Sequence, residues 1–249
     1  MADLNTAAES LLRLLDRNVA AAHVALANTF NAVLPSLDWT AETKAAVVAG
    51  LRESYPPALL ARVELVSGAT AVWYDGLAPD VDFSATAPDD VVSEERITES
   101  IGWAIRTATT AETALAQLAG STQRVMLDAQ RATVASNAAA EGVRYRRHTN
   151  YAGACNWCLV MATRGAIYAS ATSAVRGHDN CRCIAVPERP GSTYAVPVMV
   201  RDAEVRYVEA RRQLEATSLT TNLNEILRRM DGQSLVEELH IGSSKQHHN

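Results

Sequence analysis

Four cysteines and one histidine give this chain a single concentrated set of soft donor atoms. Cys155-Asn156-Trp157-Cys158 is a C-x2-C pair, the spacing at which two thiolates on a tight turn can reach one tetrahedral ion. Further on, His178-Asp179-Asn180-Cys181-Arg182-Cys183 adds imidazole nitrogen and two more sulfurs. Cysteines crowded into residues 155–183 of a chain kept in a reducing compartment read as metal ligands rather than as disulfides. A tetrahedral ion takes four ligands, and five donors are on offer. If the chain from Cys181 to Val186 is extended, Cys181 and Cys183 point to the same face, and either can approach the ion. The expected set is Cys155, Cys158, His178 and one of Cys181 or Cys183, with that choice open. So many sulfurs suit a closed structural zinc site, because catalytic zinc keeps a position for water.

Competing chemistries find less support. A Cys/His nucleophilic pair would need His148 or His178 to activate a thiolate, and no Ser-His-Asp set or nucleophile elbow accompanies them. The H-E-x-x-H helix of metalloproteases is absent, and His247-His248 has no acid at useful spacing. No catalytic residue is assigned, and the chain is read as a non-enzyme. His148 is expected to be a partly exposed strand residue. Arg144, Arg146 and Arg147 read as a solvated or salt-bridged strand face. Trp157 is expected to shield the sulfurs, and Trp73-Tyr74 to lie in the core.

The elements that must position these donors are mainly helices. Leu4, Leu11, Leu12, Leu15, Leu26 and Phe30 recur at helical spacing until Pro35 stops the run. Thr40 caps a second helix through Leu51, which Tyr55-Pro56-Pro57 breaks, and a third spans Ala58 to Trp73. Asp75 to Asp90, with Gly76, Pro79 and Pro88, is a surface loop. From Ser93 a long periodic segment carrying Ile97, Ile101, Ile105, Leu118, Val125 and Met126 continues to about Ala140, interrupted or bent near Gly120, or forms an ordinary bundle core helix broken into two. Val143 to His148 and Cys183 to Val186 suit strands, the second ended by Pro187. Gly165 permits a turn at positive φ. Helical pattern returns after Pro197 up to Asp231-Gly232, and Gly242 to Asn249 reads as a frayed tail.

The fold class that follows is mainly α: long helices with a small α+β zinc-knuckle domain inserted before a C-terminal helix. The expected domains are 1–141 helical, 142–190 metal-binding, and 191–249 a helical extension. Net charge is −5 and uneven, with 9 Lys+Arg against 17 Asp+Glu in residues 1–140 and 7 against 3 in residues 141–190. An acidic chain gives little electrostatic reason for nucleic acid to be a primary partner. No run of about 18 apolar residues predicts a membrane span. Met1 to Asp16 carries acids where a secretory leader is basic, so an intracellular chain is expected.

The residues also carry a resemblance. Tyr145-Arg146-Arg147, Cys155-Asn156-Trp157-Cys158, Ala162-Thr163-Arg164-Gly165-Ala166-Ile167-Tyr168, His178-Asp179-Asn180-Cys181-Arg182-Cys183 and Val186-Pro187 follow one another in that order. This run resembles the Mu F-like minor head proteins of tailed phages, the actinobacteriophage versions above all. The departure is Asp179, where many relatives carry proline; it alters the turn and leaves the donors in place. The resemblance implies a minor capsid protein of the virion, assembled in the bacterial host cytoplasm, that acts in head morphogenesis or DNA delivery near the portal. Its implied partners are the portal protein and the major capsid protein, and the long helices allow self-association. Some relatives carry a protease label, so the alternative is a capsid maturation protease using a Cys/His pair.

Overall fold

Asp3 fixes where the first helix begins: its carboxylate accepts from the backbone N–H groups of Asn5 and Thr6, two of the donors that a helix start leaves without partners. The computed structural model describes residues 3–89, 91–170, 172, 175–217 and 222–232. Helix α1 (Leu4–Val33) buries Leu4, Leu11, Leu15, Leu26 and Phe30 along one face. Burying each such side chain is worth about 1.5–3 kcal/mol, which far exceeds any propensity term in holding the helix in place.

Helix α2 (Ala41–Gly76) opens at the Thr40 cap, as its sequence predicts, and then runs straight through Pro56 and Pro57. The two helices expected on either side of that pair are therefore one. The prolines deprive the carbonyls of Arg52 and Glu53 of a donor, but both residues are exposed, and water can take the place of the lost partner. Tyr55, Pro56 and Leu59 stay buried, and the Tyr55 hydroxyl lies 2.5 Å from Thr122 Oγ1. Tertiary packing thus outweighs the helix-breaking tendency.

Helix α3 (Glu94–Thr107) starts at the Ser93 cap. The segment expected to continue past it with a bend at Gly120 divides earlier: Thr110 accepts from the Thr113 N–H and opens α4 (Ala111–Glu141). Gly120 lies inside α4, which ends where Gly142 turns left-handed at φ 78°. Strands β1 (Arg144–His148) and β2 (Ile184–Glu188) pair antiparallel, with Arg146 opposite Val186 and His148 opposite Ile184. β2 passes through Pro187 to Glu188, one residue beyond the expected stop. Tyr145 makes a further bridge to Tyr168, reached through the turn at Gly165, whose φ is 67°.

The chain forms two compact units, each discontinuous in sequence: Met1–His148 with Gly165–Ala195, and Thr149–Arg164 with Val196–Asn249. Residues 142–190, read above as one segment, contribute to both. In the first unit α1 to α4 pack on one another and α4 lies against both strands, around a core that includes Leu26, Leu51, Ile101, Met126 and Val186. Tyr74 is buried there and the Trp73 indole donates to Ala7 O, so this pair belongs to the core as predicted. In the second unit α5 (Asn156–Thr163), α6 (Val198–Ala216) and α7 (Leu223–Met230) enclose Leu159, Met161, Val200, Leu214 and Ile226. The architecture is mainly α with a small two-stranded sheet, as expected. Among the described residues no helix is long and apolar enough to cross a membrane. The tail from Gly242 to Asn249 lies outside the described residues.

Candidate metal centre

Cys181 and Cys183 sit on a segment held by one face of α4. Four polar side chains, Gln123, Asp128, Gln130 and Arg131, interrupt that otherwise Ala-rich helix, and each meets backbone of the segment or of the strand after it. Gln123 Nε2 donates to Cys181 O at 2.9 Å. Arg131, fully buried, donates to Val175 O at 2.7 Å and to Cys183 O at 2.8 Å. Asp128 pairs with Arg131 and with Arg96, and its Oδ1 accepts from the Gly177 N–H at 2.9 Å. Gln130 treats β2 as a neighbouring strand would, donating to Ala185 O and accepting from Ala185 N–H, both at 2.9 Å.

Two glycines permit this close approach. A Cβ at Gly120 would lie 3.0 Å from the Asn180 amide, and one at Gly177 would lie 2.7 Å from the Arg131 guanidinium. Asn180 itself is left-handed at φ 62°, and Cys181 N–H closes the turn onto His178 O at 3.1 Å. Asparagine tolerates that conformation, so the turn delivers Cys181 with its backbone already satisfied.

Cys155 and Cys158 are placed by different means. Cys155 is the N-cap of α5, and its sulfur accepts from the Cys158 N–H at 3.4 Å. One helical turn therefore puts both thiols at the head of α5, where the positive end of the helix favours anionic sulfur. Ala154 N–H bonds to Tyr151 O at 2.8 Å before the cap, and the Asn156 amide donates to Asp231 Oδ1 at 2.5 Å. Trp157, expected over the sulfurs, packs on the apolar cluster of its own unit.

The ligand atoms of Cys155, Cys158 and Cys181 lie within 4.8 Å of one another. Zinc–sulfur bonds of about 2.3 Å at tetrahedral angles put sulfurs roughly 3.8 Å apart. Three thiols with a fourth N or S donor fit zinc, and the cluster could hold one. The two remaining donors make contacts of their own. Cys183 Sγ accepts from Arg147 Nη2 at 2.8 Å, deep in the interior. His178 is exposed, with Nδ1 2.7 Å from Asp179 O; a carbonyl only accepts, so the ring proton belongs on Nδ1 and the lone pair on Nε2.

The sheet beside the segment carries further titratable groups. His148 is fully buried, which corrects the exposed position expected for it. Its Nδ1 lies 2.9 Å from the Tyr194 hydroxyl and its Nε2 3.3 Å from Glu9 Oε1. Burial lowers its pKa, against the pull of Glu9. The three strand arginines divide: Arg146 pairs with Glu188 and lies 3.8 Å over the Tyr194 ring, Arg147 is buried, and Arg144 is exposed. Burial also pushes Tyr145 up to about 12. Sequence reading missed the scaffold of Asp128, Gln130 and Arg131. The available signal was their polarity in a stretch of small apolar residues, which a core helix carries only when those groups have partners.

A family model described as VG15 protein matches residues 6–210, a span that includes the α4 scaffold and all five candidate donors. No curated protein and no solved structure matches the chain.

Proposed function

Because this chain belongs to the VG15 protein family, a family of phage proteins, we propose that it is a structural minor head protein of a tailed phage, Mu F-like in its metal-binding segment. It acts in head morphogenesis or DNA delivery near the portal, and its partners are the portal protein and the major capsid protein. The protein resides in the virion head and is not an enzyme. One observation carries the reading: the family match extends over both the long helices and a thiol triad whose spacing suits zinc. A sulfur-rich set of this kind stabilises fold rather than activating water.

In this reading Cys155, Cys158 and Cys181 hold zinc and His178 Nε2 completes the set, while Cys183 stays with Arg147. Bound zinc would supply local folding energy, since its ligands are gathered only in the native state. The test is to purify the protein with its phage portal protein and, separately, with the major capsid protein. Co-purification with the portal protein and one zinc per chain are expected. Failure to associate with either partner, or thiol-dependent cleavage of the major capsid protein, would overturn the structural role.

A further inference from the structure

A groove on the first unit is built to take an acidic tip, and this chain has one. Between α2 and α3 lies a recess of about 510 Å³ lined by Ala41, Ala45, Val48 and Ala49 from one helix and Gly102 and Ile105 from the other. Small side chains keep it open, with Ile105 buried beneath. Its polar lining is wholly cationic: Lys44, Arg52 and Arg106. Lys44 already donates to Ala108 O at 2.9 Å. Arg52 and Arg106 are exposed, and no ion pair engages either of them among the described residues. An apolar floor with uncompensated positive charge at its rim selects a partner that is apolar at its centre and acidic at its flanks.

The loop that follows α2, residues 77–89, has that form. At its tip, Val81 stands exposed between Asp80 and Asp82, and the loop holds no Lys or Arg. It is also preorganised. Val81 N–H bonds to Ala78 O and Phe83 N–H to Val81 O, while Phe83 stacks on buried Tyr74 at 5.9 Å. Beyond the tip, Ala85 N–H donates to Asp75 Oδ1 and Thr86 exchanges two hydrogen bonds with Asn137. A tip fixed in this way loses little entropy on docking.

We propose that the chain self-associates head to tail, with Asp80-Val81-Asp82 of one copy seated in the α2/α3 groove of the next: Val81 against Ala45 and Val48, and the two carboxylates against Arg52 and Arg106. Groove and tip are different patches, so the contact is heterologous and repeats until a ring closes or a filament grows. The buried area is small, so the association is weak and depends on concentration and salt. The inference does not rest on the head-protein reading.

Charge exchange tests it by sedimentation velocity on the full chain. One variant carries D80K and D82K, the other R52E and R106E, all at exposed positions, with circular dichroism checking that both fold. Each variant alone should lose at least tenfold in association constant relative to the unaltered chain, because like charges meet. Mixed in equal amounts, the two should recover association, since each tip then finds a groove of opposite sign. An unaltered chain that stays monomeric at millimolar concentration, variants that associate unchanged, or a mixture that fails to recover would each overturn the proposal.

Discussion

The segment carrying Cys181 and the turn carrying Cys155 and Cys158 solve the same problem in opposite ways. The first is fixed by protein alone: Gln123, Asp128 and Arg131 of α4 satisfy its backbone, and Gln130 satisfies the strand that follows. The second rests on one cap, one tight turn and the exposed Asn156–Asp231 bond. A buried polar network that is fully satisfied rigidifies a segment whether or not a ligand is present. An ion bound by the thiols of a short turn would add to whatever order the turn has of its own. The difference would assign unequal roles to the sulfurs in a metal site: Cys181 is presented in advance, while a bound ion would order Cys155 and Cys158.

The largest effect should come from removing the guanidinium that organises the prepared side. In Arg131→Met, buried Asp128 keeps Arg96 but loses its interior partner, and two segment carbonyls lose their donor. Breaking a buried pair from one side costs about 3–5 kcal/mol, so urea unfolding should shift by that amount. A change below about 1 kcal/mol would mean that α4 does not carry the segment, and the comparison would fail. Gln130→Ala comes next. It strips partners from Ala185 N–H and Ala185 O, buried groups that cost about 1–3 kcal/mol each when left unsatisfied. The same titration should register a loss of at least about 2 kcal/mol.

A third measurement separates the two sides directly. Chelation of the purified, reduced protein should raise amide exchange in residues 154–160 at least tenfold, a loss of about 1.4 kcal/mol in local protection. The amides of Ala185 and Val186 should change little. C155S and C158S should abolish stoichiometric zinc. H178A should weaken zinc binding more than C183S, because Cys183 is engaged by Arg147. Equal loss of protection on both sides would show that the metal orders the Cys181 segment as well.

The sequence made parts of this legible and hid others for physical reasons. Leu4 to Phe30, the Thr40 and Ser93 caps and the alternation before His148 report local geometry, and local geometry is what periodicity encodes. Pro56-Pro57 misled because a buried face around Tyr55 and Leu59 overrides propensity, and Gly120 because its missing Cβ serves the approach of Asn180 rather than a bend. The donor residues were legible as types and spacings. That Cys181 joins Cys155 and Cys158 while Cys183 turns to Arg147 was not, since Arg147 is remote in sequence from Cys183 and strand alternation alone treats both thiols alike. His148 was expected to be partly exposed because its partners, Glu9 and Tyr194, come from distant parts of the chain.

The smallest effect concerns His148, which belongs to the prepared side and should titrate there alone. With the proton on Nε2, a neutral ring donates to Glu9 and accepts from the Tyr194 hydroxyl, so both nitrogens are satisfied. Protonation adds a second donor and a charge in a buried place, and burial lowers the pKa from its ordinary 6.5. The folded state therefore binds this proton less readily than the unfolded chain does. The stability His148 contributes is present above pH 6.5 and is lost as pH falls through the folded pKa. Unfolding of the native chain and of His148→Gln should thus give a stability difference that narrows from pH 7.5 to pH 5. Two curves that stay parallel across that range would mean that the imidazole is not the group being titrated.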